Sequence, residues 1–160
     1  MKTVYLSLGS NTGNRETNLR AALDRLGARR VSPIYESEPV EYTAQPFFLN
    51  LVAETETDLM PLQYLAFTQR IERELGRVRG IPKGPRAIDI DILTFGTHLI
   101  QTPDLQVPHP RMHERRFVLV PFADLAPNLC HPVTRRTIRE MLDALPDRDL
   151  VQAWKPLPLG

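Results

Sequence analysis

Apolar residues alternate from the start of the chain. Val4, Leu6 and Leu8 are interleaved with Thr3, Tyr5 and Ser7, the period of two expected of a half-buried strand. The turn residues Gly9-Ser10-Asn11-Thr12-Gly13-Asn14 then break the pattern. A helix is predicted from Asn14 or Arg15, with Leu19, Ala22, Leu23 and Leu26 as its apolar stripe and Gly27 as its stop. A second strand is predicted over Arg30 to Glu36, with Pro33 marking it as an edge or bulged element. Pro39 to Pro46 reads as a polar loop. A third strand spans Phe47 to Thr57. Phe47, Leu49, Leu51 and Ala53 fall on one of its faces; Phe48, Asn50, Val52 and Glu54 fall on the other.

The spacing returns to helical from Pro61 to Leu75, with Tyr64, Phe67, Ile71 and Leu75 as the stripe and Gly76 at the end. Gln69 and Glu72, three apart, share one side of that helix. Residues 77 to 86 form a loop of glycine, proline and cations. A strand follows from Ala87 to Phe95, with a hairpin-like return through Gly96-Thr97 to Leu99 and Ile100. A helical turn or two is predicted from about Arg115 to Leu125, and a further helix near Thr137 to Leu145. The order β-α-β-β-α-β predicts an α+β fold of the ferredoxin-like kind, with an antiparallel sheet, helices packed on one side and a C-terminal extension. Residues 1–160 read as one domain, since no repeat or linker interrupts them.

Composition narrows the functions open to this fold. The chain is 42% hydrophobic and 24% charged, with a formal net charge of +1, which implies no nucleic-acid partner. No segment reaches the roughly 18 unbroken apolar residues of a membrane span, and the N-terminus carries no signal-like apolar run. The single cysteine, Cys130, excludes an internal disulfide framework and agrees with a reducing, cytoplasmic setting. Cys130 itself is expected to be a small buried hydrophobe. The cations are unevenly spread. Arg70, Arg73, Arg77, Arg79, Lys83 and Arg86 crowd one stretch, and Arg111, Arg115 and Arg116 another. Each could be solvated surface; beside an acidic pair, such density suits a compact polyphosphate.

That pair lies in Gly84-Pro85-Arg86-Ala87-Ile88-Asp89-Ile90-Asp91-Ile92-Leu93. On a strand, Asp89 and Asp91 share a face, about 6 to 7 Å apart along the chain. This suits a pair of hard cations, which in two-metal phosphoryl-transfer sites lie about 3.5 to 4 Å apart. Both aspartates could instead be the wet face of an amphipathic strand, although aspartate is disfavoured in strands. Phe48 and Asn50 could stack on and hydrogen-bond a planar heterocycle, or serve as core and sheet surface. No Walker A sequence is present, so a P-loop kinase is excluded. His109 and His113 have the spacing of a metal pair, but Pro110 argues against a continuous helix there and no third soft ligand is evident.

The ordered set Leu8-Gly9-Ser10-Asn11, Phe48-Leu49-Asn50, Gln69-Arg70-Ile71-Glu72, Gly76-Arg77-Val78-Arg79, Gly84-Pro85-Arg86 with Asp89 and Asp91, and Val107-Pro108-His109-Pro110 resembles the 6-hydroxymethyl-7,8-dihydropterin pyrophosphokinase family, from residue 3 to about 125. The resemblance implies transfer of pyrophosphate from ATP to the pterin hydroxymethyl group in folate synthesis, with AMP released. Asp89 and Asp91 would hold two Mg²⁺ ions, with Arg77 and Arg86 also catalytic. Phe48 and Phe117 would sandwich the pterin, Asn50 would read its amide edge, and backbone near Ser37 and Val40 would assist. Gln69, Glu72, Arg77, Arg86, His109 and Arg115 would hold ATP, with Ile92 and Gln106 lining the adenosine site. Arg79 and Lys83 would be lid cations. The expected partners are small-molecule substrates, ATP and the hydroxymethyl-dihydropterin, with the chain a monomer.

The chain departs from the family pattern in three places. Phe48 stands where relatives often carry tyrosine, Gly80-Ile81-Pro82-Lys83 replaces a longer loop, and Ser37-Glu38 replaces a threonine-proline pair. Two other readings use the same residues: a two-metal nucleotidyl-transfer enzyme on a ferredoxin-like palm, and a non-catalytic ligand-binding module of this fold.

Overall fold

The computed structural model of the chain describes residues 1–39, 46–76, 87–146 and 150–154. Its centre is β1 (Lys2–Ser10), which pairs antiparallel with β4 (Phe48–Thr57) on one side and β5 (Asp89–Phe95) on the other. Two short strands, β2 (Arg30–Val31) and β3 (Tyr35–Ser37), pair with β4, and β8 (Val151–Ala153) pairs with β3. The order β5-β1-β4-β3-β8 contains the split-βαβ arrangement predicted for the ferredoxin-like α+β fold.

The segment expected as one strand over Arg30 to Glu36 is broken at Ser32–Ile34. Ser32 N donates to the Val52 carbonyl, and Ser32 Oγ accepts from Val52 N, both at 2.9 Å. A side-chain oxygen thus replaces a backbone carbonyl in the ladder, next to a proline that has no N–H to offer. β1 also runs on through Gly9 and Ser10, which had read as the start of a turn.

Helix α1 (Arg15–Leu26) begins where Asn14 Oδ1 accepts from Thr17 N at 3.1 Å. It ends at Gly27, whose φ of 64° is left-handed. Together with α2 (Pro61–Glu74) it covers one sheet face, burying Leu19, Ala22, Tyr64 and Ile71 against Val4, Leu6, Leu8, Leu51, Ile90 and Ile92. Helices were expected on one side only. The second face is also covered, by α3 (Arg116–Leu125) and α4 (Ile138–Asp143) from the C-terminal part of the chain. Tyr5, Val52 and Leu93 are apolar on that face and demand cover. Val118, Leu119, Phe122 and Met141 supply it, with the Tyr5 and Phe122 rings 5.1 Å apart. Tyr5 OH donates to Glu54 Oε1 at 2.8 Å, and Arg30 reaches the same carboxylate at 2.9 Å and the Leu125 carbonyl at 3.3 Å, tying α3 to the sheet.

The hairpin-like return after β5 does not form. β6 (Ile100–Gln101) pairs with β7 (Gln106–Val107) in a separate two-stranded sheet. The free edge of β5 has other partners: Glu72 accepts from Ile90 N, and His109 N donates to the Leu93 carbonyl, both at 2.8 Å. Cys130 is exposed, contrary to expectation. It bridges to Thr137 between half-buried Leu129, which packs on the second cluster, and buried His131. Extended backbone therefore points Cys130 the other way.

Phe122, fully buried, tests whether the second layer belongs to the cooperative core. Phe122→Ala should destabilise the chain by about 3 to 5 kcal/mol, read as a lower midpoint in urea with an unchanged m-value. A loss under about 1 kcal/mol would place α3 outside that core.

Candidate active site

The register of three strands builds the site. Gly9 on β1 faces Asp89 on β5 and Asn50 on β4, and Asn50 in turn faces Tyr35 on β3. One step along, Ser7 lies between Asp91 and Val52. Alternation puts Asp89, Asp91, Gly9, Ser7, Asn50 and Phe48 on the face that carries Leu93 and Val52 further along, beneath α3. Ile88, Ile90 and Ile92 enter the core on the other face. The two aspartates are half-buried, with the common orientation expected from their spacing.

Gly9 holds a place in the Asp89–Gly9–Asn50 row that its reading as a turn residue concealed. A Cβ there would lie 3.2 Å from Asn50 Oδ1 and 3.4 Å from Phe48 Cδ1. The Asn50 amide and the Phe48 ring thus close over Gly9, near enough that a side chain there would press one of them aside. Register, not local sequence, reveals this.

Asn50 is buried and donates through Nδ2 to Ser37 Oγ at 2.6 Å. That bond turns its Oδ1 toward Gly9 as an acceptor, and brings Ser37 to the amide through its side chain. Phe48 is half-buried opposite Ser37. Phe117 is half-buried in the first turn of α3, which packs over β4, and Arg115 Cζ lies 5.6 Å from its ring centroid. His109 stands within electrostatic range of Asp89, Arg111 and Arg115. Burial first, then the two arginines, push its pKa down from the usual 6.5 to about 4, with Asp89 opposing. Its Nδ1 accepts from Arg111 N at 3.1 Å. The neutral ring therefore carries its proton on Nε2.

Glu72 and Gln69 share a side of α2 but not an environment. Gln69 is exposed, while Glu72 is buried with its carboxylate on Ile90 N, the amide between Asp89 and Asp91. Gln106 is exposed on β7, and the Ile92 side chain points into the core, away from the aspartates. Only the backbone of Ile92 could meet a ligand. Val40, Arg77, Arg79, Lys83 and Arg86 lie outside the described residues.

The donor set is suited to Mg²⁺. No group of three or more His, Cys, Asp or Glu side chains converges among the described residues, as a closed transition-metal site would require. Two carboxylates on one face match Mg²⁺, which takes one or two and completes its shell with water and substrate phosphates.

Known proteins resemble the chain over most of its length. The model of the 7,8-dihydro-6-hydroxymethylpterin-pyrophosphokinase (HPPK) family matches residues 5–127. The chain belongs to that family. It is 45% identical over 157 residues to a 2-amino-4-hydroxy-6-hydroxymethyldihydropteridine pyrophosphokinase of Bacillus subtilis, covering 94% of this chain and 89% of the relative. The Pseudomonas aeruginosa protein of the same name is 47% identical over 152 residues, covering 91% and 93%. The folic acid synthesis protein fol1 of Pneumocystis carinii is 42% identical, covering 93% of this chain but 21% of its own length. The chain thus spans about a fifth of that relative and nearly all of the bacterial ones. Among solved structures, Plasmodium falciparum HPPK-DHPS with pteroate superposes with a TM-score of 0.73 at 17% identity, over 89% of this chain and 44% of that one. That likeness shows the shared fold.

Two tests bear on the site. Glu72→Ala should abolish the slow amide exchange of Ile90, whereas Glu72→Gln, still an acceptor, should retain most of it; equal exchange in both would remove the bond from the site. The depressed His109 pKa means that the unfolded chain takes up a proton more readily than the folded one between pH 6.5 and about 4. Stability without metal should therefore fall as pH drops through that window, with a shallower slope in His109→Gln. Identical slopes in urea titrations would count against it.

Proposed function

We propose that this chain carries out its family's reaction: it transfers pyrophosphate from ATP to 6-hydroxymethyl-7,8-dihydropterin and releases AMP, in a Mg²⁺-dependent step of folate synthesis. The observation that carries the reading is the row Asp89–Gly9–Asn50. It puts an amide able to read a heterocycle two strand spacings, about 10 Å, from the metal-type carboxylates, with the side-chain-free Gly9 between them in the row. A flat ring stacked on Phe48 and bonded to Asn50 would extend its hydroxymethyl arm along this row toward the phosphates.

In this reading Phe48 and Phe117 contribute the two faces of the pterin slot, and Asn50 Oδ1 accepts from the ring's amide edge. Asp89 and Asp91 would hold two Mg²⁺ ions, which when bound neutralise and polarise the ATP phosphates. The hydroxymethyl oxygen attacks the β-phosphorus in line, the bond from that phosphorus to the AMP oxygen breaks, and the hydroxyl proton passes to solvent. His109, neutral at pH 7, donates from Nε2 to a phosphate oxygen, and Arg115 supplies a fixed positive charge beside it. Glu72 acts on the strand, and Gln69 is a rim contact to the nucleotide. Ile92 backbone and Gln106 flank the adenosine, with Gln106 also at the rim. By family resemblance, Arg77 and Arg86 offset phosphoryl charge, Arg79 and Lys83 serve a lid, and Val40 lends backbone to the pterin. Catalysis by positioning and electrostatics is what phosphoryl transfer requires. The whole is proposed to act as a single-domain, cytoplasmic monomer.

Nucleotide product analysis is the test. AMP should form only when ATP, Mg²⁺ and the hydroxymethyl-dihydropterin are all present, and Asp91→Ala should lower turnover about a hundredfold or more. Release of pyrophosphate instead would indicate nucleotidyl transfer, and no turnover would leave a binding module. Normal turnover in Asp91→Ala would remove that residue from the metal site.

A further inference from the structure

Ser37, Asn50 and Phe48 project from one face of the β3–β4 pair. On the opposite face, a single arginine holds the neighbours of two of them. Arg15 Nη1 donates to Glu36 Oε2 at 2.8 Å and to the Phe47 carbonyl at 2.9 Å. Glu36 immediately precedes Ser37, and Phe47 immediately precedes Phe48. One residue earlier, the Pro46 carbonyl accepts from Asn11 Nδ2 at 3.2 Å. Two successive carbonyls leading into β4 are therefore held by side chains from the β1–α1 connection and the first residue of α1.

Apolar packing does not fix this corner. Phe47 is 37% exposed, and a cavity of about 650 Å³ opens among Asn11, Gly13, Arg15, Glu36 and Phe47. The Arg15–Glu36 pair is better sheltered than an ordinary surface pair, at 22% and 18% exposure, where charge-assisted bonds keep more of their strength. Part of that shelter is Trp154, the only tryptophan of the chain. Its ring centroid lies 5.0 Å from Arg15 Cζ. β8 carries it there by pairing with β3, and Trp154 N donates to the Ile34 carbonyl at 2.9 Å. Trp154 lies beyond residue 127, where the family match ends.

We infer that Arg15, covered by Trp154, is a positioning element for the pterin. It braces the rear of β3 and β4 and thereby sets the plane of the Phe48 ring and the Asn50–Ser37 bond on the front. The inference rests on the pterin reading of the site and adds to it a C-terminal residue that touches no substrate. The brace belongs to ring binding alone, because β5, with Asp89 and Asp91, lies on the far side of β1 from it.

Steady-state kinetics of the full chain with 6-hydroxymethyl-7,8-dihydropterin, ATP and Mg²⁺ test this. Arg15→Ala should raise the pterin KM about tenfold, as expected for loss of two charge-assisted bonds. Trp154→Ala should raise it about threefold and Trp154→Phe should restore it, in keeping with an exposed cation–π contact. The ATP KM and kcat should stay within about twofold, a split that general destabilisation would not produce. If Arg15→Ala does not fold at the assay temperature, the two Trp154 variants decide. An unchanged pterin KM, or an equal rise in both KM values, overturns the brace. Phe48→Ala in the same assay separates the two ideas. If it weakens pterin binding while the Arg15 and Trp154 variants do not, the brace alone fails. If Phe48→Ala also binds normally, the ring platform fails and the brace with it.

Discussion

The cross-strand register of β1 with β4 and β5 is the constraint from which the site follows. Antiparallel pairing fixes which residues meet, and side-chain alternation fixes the face on which they meet. Gly9 opposite both Asp89 and Asn50 is a consequence of that register. A slip of one residue would send both aspartates into the core and bring isoleucines into the site. The register is specified by burial: Leu6, Leu8, Leu51, Ile90 and Ile92 all need the α1–α2 face. The same apolar residues that stabilise the sheet therefore aim the polar ones, and the chemistry needs no separate scaffold.

Edge strands usually present unpaired backbone groups, and β5 is both an edge strand and the carrier of the acidic pair. Its free edge is closed by unlike partners, the Glu72 carboxylate at Ile90 N and the His109 backbone at the Leu93 carbonyl. A carboxylate buried beside a strand with two further carboxylates is electrostatically awkward, and the bond to an amide hydrogen offsets part of that. His109 illustrates the opposite adjustment. Surrounded by Arg111 and Arg115 and largely buried, it stays neutral and so remains a donor that adds no further positive charge to the site.

Much of this was legible in the sequence where local periodicity decides the outcome. The 3.6-residue stripe of Leu19, Ala22 and Leu26, the asparagine cap and the glycine stop located α1. The alternation around Asp89 and Asp91 placed both on one face. What was not legible depended on partners distant in the chain. The break at Ser32 arises because its hydroxyl takes a ladder position opposite Val52. The missing hairpin after Gly96 reflects an edge already bonded to Glu72 and His109, and the outward turn of Cys130 reflects its bridge to Thr137. Gly9 is the sharpest case. Its local context is a turn-rich run, and only its two cross-strand partners show why a side chain there would press on Asn50 and Phe48. The order of the motifs carries the family likeness without any of these contacts, and the match over residues 5–127 agrees with it.

The two kinds of likeness bear different weights. A structural match at 17% identity establishes how the strands are threaded, and a ferredoxin-like sheet hosts many unrelated functions. Relatives at 45% and 47% identity across nearly their whole length reach further, to membership of the family. The C-terminal part of the chain sits between these cases. α3 completes the core of the second face and carries half-buried Phe117 in its first turn, whereas β8 adds a strand and a tryptophan on the opposite face. One extension thus supports the same pair of strands from front and rear. Support of that kind bears most on β3, which is only three residues long and is held by pairing with β4 on one side and β8 on the other.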